Sequence, residues 1–158
     1  MKNRILLLVL ACMMSAVSFA QKSWRMGVGL NGGIATKDNY NFILGADARF
    51  QRGIGESTSL IVTGGVTHFF KTNKVSNSAT FIPVKLGFKH FLNTNFYAAA
   101  EAGAAFSVTD NVDNSFIWSP SIGFAFKEGI DISVKYEDIT KYKSTKQFAL
   151  RIAYGFKL

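Results

Sequence analysis

Large apolar residues stand at every second position in eight successive stretches of this chain, and side chains alternate faces with that period on a β-strand. The pattern is plainest in the last eight residues, RIAYGFKL. Ile152, Tyr154, Phe156 and Leu158 fall on one side there, and Arg151, Ala153, Gly155 and Lys157 on the other. The alternation predicts strands over 24–34, 41–51, 57–70, 80–91, 95–108, 116–127, 130–137 and 145–158. One face is apolar along all eight. The other is small or polar, with Ile43, Ile61, Phe69, Phe81 and Ile117 as its chief exceptions. Connections after the second, fourth and sixth strands are short and turn-like, whereas those after the odd strands are longer and rich in Asn, Asp, Lys, Ser and Thr. Such a chain is all-β. Eight antiparallel strands close naturally into an up-and-down barrel, which removes the exposed edges of an open sheet.

The first residues stand apart from this pattern. Lys2 and Arg4 form a charged region, Ile5 to Val17 an apolar one, and Ser18, Phe19 and Ala20 a small-x-small cleavage site. Residues 1–20 are therefore expected to be a signal peptide and 21–158 a single barrel domain. The one cysteine, Cys12, belongs to the leader, so the exported chain is expected to lack disulfides, thiol chemistry and cysteine-bound metals. Removing Lys2 and Arg4 lowers the formal charge from +8 to +6 over 138 residues. The basic residues are dispersed, with no run that marks a nucleic-acid groove.

Two solvents suit a barrel of this pattern. In water the apolar face points inward; in a bilayer it points outward and the polar groups satisfy one another inside. The polar face is largely Gly, Ala, Ser and Thr with occasional charges, a composition for a narrow lumen that eight strands nearly fill. Aromatics such as Trp24, Phe50, Phe96, Trp118, Tyr136 and Phe148 gather towards the strand ends, with aliphatic residues between them. That is an aromatic girdle around an aliphatic band. Strands of about ten residues also match the ~9–11 needed to cross a membrane at a tilt. The bilayer reading is the stronger one.

With FIPVKLGFKHFLNTNFYAAAEAGAAF (81–106) and the terminal RIAYGFKL, the chain resembles the small eight-stranded outer-membrane β-barrels of Gram-negative bacteria, of the OmpA transmembrane-domain and OmpX type, over its whole mature length. The resemblance implies residence in the bacterial outer membrane, both termini in the periplasm and the four longer loops outside the cell. It also implies a C-terminal signal for the barrel-assembly machinery, carried by Arg151, Phe156 and Leu158. Ala153 stands where the family has glycine, and the final residue is Leu rather than the commoner Phe. No peptidoglycan-binding domain is expected after Leu158.

The inward charges carry the sharpest expectation. Arg25, Asp47, Arg49, Lys85, Glu101, Asp131, Lys135 and Arg151 share the confined face, where an unpaired charge is costly. A turn centred near Asn93 sets Lys85 nearly opposite Glu101, and a loop centred near Lys141 sets Asp131 beside Arg151. These groups are expected to form a salt-bridge network that plugs the lumen, against the alternative of a narrow ion pathway. Loop lysines 37, 71, 74, 141, 143 and 146 are expected to face outward, where phosphates of lipopolysaccharide or other outer-membrane lipids are available partners.

Other motifs lead to blander readings. GVGLNG (27–32) satisfies the dinucleotide spacing, with Asp47 about twenty residues on, but no helix follows to receive a pyrophosphate. His68 lies near the outer rim on the lipid face with no His-x-Ser beside it, and isolated His90 lies near the other rim, so neither predicts catalysis or a metal site. The function expected is a non-enzymatic structural or surface-interaction protein of the envelope, monomeric and without cofactor. The alternatives are a lipid-modifying barrel enzyme and a soluble periplasmic barrel that binds a hydrophobic ligand.

Overall fold

The alternating stretches become eight strands: β1 (Trp24–Ala35), β2 (Tyr40–Gly53), β3 (Thr58–Lys71), β4 (Ala79–Phe91), β5 (Phe96–Ser107), β6 (Ser115–Ala125), β7 (Ile130–Ile139) and β8 (Gln147–Lys157). Each end lies within two residues of the sequence-based expectation. The computed structural model describes residues 24–36, 40–71, 78–109, 112–142 and 145–158, so the residues read as a leader lie outside those described.

The strands pair antiparallel in chain order, and β1 pairs with β8 to close the barrel. In that seam Met26 faces Phe156, Leu30 faces Ile152 and Ile34 faces Phe148, and the Leu158 amide donates to the Trp24 carbonyl at 2.9 Å. Two ladders are interrupted beside prolines, β3–β4 at Pro83 and β6–β7 at Pro120, residues with no N–H to donate.

Local chemistry makes the short connections. After β4, the Asn93 side-chain oxygen accepts from the amides of Asn95 and Phe96 at 3.0 and 2.7 Å, folding the turn on itself. After β6 the chain reverses through Gly129 at φ +94°, a conformation that a Cβ disfavours. Here the Phe126 amide donates to the Ile130 carbonyl at 2.7 Å.

The barrel is apolar on the outside. Val28, Leu30, Val62, Leu86, Phe88, Ile122, Val134 and Ile152 are all exposed, Leu30 to 71%. Soluble monomers rarely expose more than a few hundred Å² of contiguous apolar surface. A belt on every strand needs lipid against it. Aromatic pairs mark both margins of the belt. Trp118 and Phe148 flank Tyr136 at 5.5 and 5.2 Å towards the long loops, and Phe96 stacks with Phe124 at 5.0 Å towards the short turns.

Candidate functional site

The lumen is the part of the molecule where chemistry concentrates, and it is layered. Beneath the long loops lies an apolar cap of Ile43, Phe69, Ala79, Phe81, Ala105, Ile117 and Ile139, with Tyr40 and Tyr142 packed against it. Four of the five apolar exceptions on the inner face meet here; the fifth, Ile61, packs with Tyr97 and Ala99 nearer the short turns.

Between the two apolar clusters the charges bridge the bore. Glu137, wholly buried on β7, lies 2.5 Å from the Lys85 ammonium of β4 and 3.2 Å from that of Lys135, and its other oxygen accepts from Gln147 at 2.8 Å. On the opposite wall Glu101 of β5 accepts from the Arg49 guanidinium of β2 at 2.7 Å and from the Thr63 hydroxyl, which also accepts from Arg49 Nε at 3.1 Å. Arg151 of β8, 2% exposed, grips Asp47 through Nε and Nη2 at 3.0 and 2.6 Å, and Asn31 donates to the same carboxylate at 2.8 Å. Asp131 accepts from Lys89 at 2.7 Å and from the Tyr97 hydroxyl at 2.6 Å, with Arg151 Nη1 at 3.6 Å. The Lys89 ammonium also sits 3.7 Å from the centre of the Tyr97 ring.

Seven of the eight residues read from sequence as the charge network, all but Arg25, therefore take part in these contacts. Arg25 is exposed at the short-turn mouth and makes no ion pair with another described residue. The expected pairing of Lys85 with Glu101 does not form. Phe91 pairs with Tyr97, so the turn centres on Thr94 rather than Asn93, and Lys85 stands opposite Gly103. The expected contact of Asp131 with Arg151 does form, at 3.6 Å, although Asp131 stands opposite Ala153 and Arg151 opposite Ser133; the nearer partners are Lys89 for Asp131 at 2.7 Å and Asp47 for Arg151 at 2.6 Å. Lys89 and Glu137 were absent from the expected network, although strand parity already set both on the inner face. What parity lacks is the reach of a long side chain across the bore from β4 to β7.

Towards the short turns the lumen opens into a vestibule of about 950 Å³ bordered by Arg25, Gln51, Glu56, Lys127 and Lys157. A smaller cavity of about 70 Å³ lies beside Arg25, Arg49, Lys89, Asp131 and Arg151.

The lipid-facing histidines are satisfied in the same way at both rims. Nδ1 of His68 is 2.8 Å from the Thr80 hydroxyl, and Nδ1 of His90 is 2.9 Å from that of Thr58; each is a directly opposed pair across β3 and β4. Of the loop lysines, 37, 74 and 143 lie outside the described residues, and Lys71 is exposed. Lys141 pairs with Asp113 at 2.6 Å and Lys146 with Asp138 at 3.0 Å. The hydrogen bonds to those carboxylates hold both ammonium groups above their usual pKa. The assembly-signal residues divide: Arg151 is locked in the lumen, whereas Phe156 and Leu158 are exposed at the short-turn rim.

No protein-family model and no curated protein matches the chain. Solved structures do. The crystal structure of Ail, the attachment invasion locus protein of Yersinia pestis, is similar over 87% of this chain and 100% of its own, with a TM-score of 0.60 at 14% sequence identity. Ail has also been solved in complex with the heparin analogue sucrose octasulfate. A de novo designed transmembrane β-barrel is similar over 86% of this chain and 98% of its own, with a TM-score of 0.58 at 18% identity. The chain thus has the fold of small transmembrane β-barrels.

Proposed function

We propose that this protein is exported, inserts in the bacterial outer membrane as a barrel of residues 21–158, and acts there without enzymatic activity as a structural or surface-interaction protein. The observation that carries this reading is the inverted arrangement of polarity, an apolar belt outside and salt bridges across the interior. The cross-lumen pairs and the apolar cap fill the bore, so the barrel is a closed scaffold for its four long loops rather than a pore. Arg151, Phe156 and Leu158 act as the signal read by the barrel-assembly machinery.

The loops offer Lys71, Lys141 and Lys146 to anionic partners, either lipopolysaccharide phosphates or sulfated glycans. Ail, of similar fold, has been solved with a polysulfated sugar, which supports this class of ligand. Single-channel recording in planar bilayers tests the closed scaffold: the expected record shows no steady, large conductance, and a stable open level would overturn it. Binding of heparin to the protein in lipid nanodiscs tests the surface role. Loss of binding on reversing all three lysine charges is expected, and unchanged binding would remove them as the ligand site.

A further inference from the structure

The short-turn mouth of the barrel gathers cations that the lumen network leaves out. Deeper in the bore, Arg49, Lys89 and Arg151 each have a carboxylate at 2.6–2.7 Å. Arg25, Lys127 and Lys157 have none: all three are exposed, and none forms an ion pair with another described residue, Glu56 and the Leu158 carboxylate included. The topology brings them together. Arg25 of β1 and Lys157 of β8 are directly opposed in the closing seam, on the inward-facing parity, and like charges so placed destabilise a sheet. The β6–β7 turn, which carries Lys127, is tied to the end of β8 by the Gly155 amide donating to the Gly129 carbonyl at 2.7 Å. All three cations border the vestibule of about 950 Å³, and Glu56, on the β2–β3 turn, is its one carboxylate.

The vestibule is blind. Phe91 and Ala125 on its wall pack against the buried cluster of Ile61, Tyr97 and Ala99, which closes the bore above it. Its volume lies within the ~300–1,000 Å³ of small-molecule sites. Phe126 and Phe156, at the same strand ends, are exposed on the lipid-facing side. A mouth ringed by lipid has walls of low dielectric, which focus the field of like charges onto a ligand.

We propose that this vestibule is a binding site for a small multivalent oxyanion of the phosphate or carboxylate class. Arg25 and Lys157 hold one anionic group between them, and Lys127 reaches a second. Binding relieves the repulsion in the closing seam. With both termini in the periplasm, as the sequence leads one to expect, the ligand is a periplasmic solute; the binding itself does not depend on that orientation.

Inorganic pyrophosphate is the probe, titrated calorimetrically into the full mature barrel in neutral-lipid nanodiscs at fixed ionic strength set with sodium chloride. One saturable site is expected. Arg25→Gln and Lys157→Gln change exposed residues without a described ion pair, so the barrel is expected to fold, and each is expected to weaken binding about tenfold. Glu56→Gln removes the one vestibule carboxylate and is expected to tighten binding. Amide chemical shifts locate the site, with the largest changes expected at Arg25, Gly129, Gly155 and Lys157. Absence of saturable binding would overturn the site, and so would an affinity unchanged in both Arg25→Gln and Lys157→Gln. Shifts confined to the long loops would overturn it as well and assign the binding to the loop lysines.

Discussion

At the scale of single residues, each side chain of the barrel meets either lipid or another lumen group. Leu86 lies mid-strand on the outer face and is 55% exposed. If lipid covers it, Leu86→Arg should cost roughly 2–4 kcal/mol at the bilayer midplane, measured by urea unfolding in lipid vesicles. A solvent-facing leucine would tolerate arginine to within about 0.5 kcal/mol, so a neutral result counts against the orientation. Glu137 tests the interior. It serves Lys85, Lys135 and Gln147 at once, and Glu137→Ala leaves two buried ammonium groups without their carboxylate. A loss of about 3–5 kcal/mol is expected, the cost of breaking a buried ion pair, and an unchanged unfolding midpoint would show that the network contributes nothing. By contrast, Asp113→Ala removes a partner from solvent-exposed Lys141 and is expected to leave the midpoint where it was.

At the scale of strands, faces were legible in the sequence and partners were not. Parity alone decides whether Lys85 or Leu86 points inward, and a period-two pattern survives an error of one residue in a turn centre. Partner identity does not survive it. Placing the β4–β5 turn at Asn93 instead of Thr94 shifts Lys85 from Gly103 to Glu101, two residues along the neighbouring strand with the same facing. The pairs that matter also join strands that are not neighbours, β2 with β5 and β4 with β7, so no hairpin arithmetic reaches them. Residues 1–23 and loop lysines 37, 74 and 143 lie outside the described residues. The closing strand has its own consequence. β8 must find β1, and Phe156 faces Met26 close to the end of that seam. Deleting residues 156–158 is expected to impair insertion in cells, read as loss of the folded, protease-resistant band from the outer-membrane fraction. Unimpaired assembly would remove the terminal residues as a signal. A change inside the β4–β5 hairpin acts differently. A Cβ on Gly87 would collide with the Ala100 carbonyl across the ladder, so Gly87→Val is expected to slow folding into vesicles even with the terminus intact.

At the scale of the whole molecule, the lumen carries the specificity of the fold and the exterior carries its address. Salt bridges between distant strands hold one cross-section, because each charged group left unpartnered is costly in a lipid-walled bore. The apolar belt contributes no such selectivity, but it commits the barrel to a bilayer. The two tryptophans of the chain, Trp24 at the short-turn rim and Trp118 towards the long loops, are 48% and 40% exposed on that belt. They report directly on what surrounds it. The decisive measurement is tryptophan fluorescence of the refolded protein in vesicles of brominated phospholipid. Both tryptophans, isolated in turn as Trp24→Phe and Trp118→Phe, are expected to be quenched, and more strongly by bromines near the headgroup than by bromines near the bilayer centre. Emission that brominated lipid leaves unquenched, from a folded barrel, would contradict the lipid-facing exterior on which the account rests.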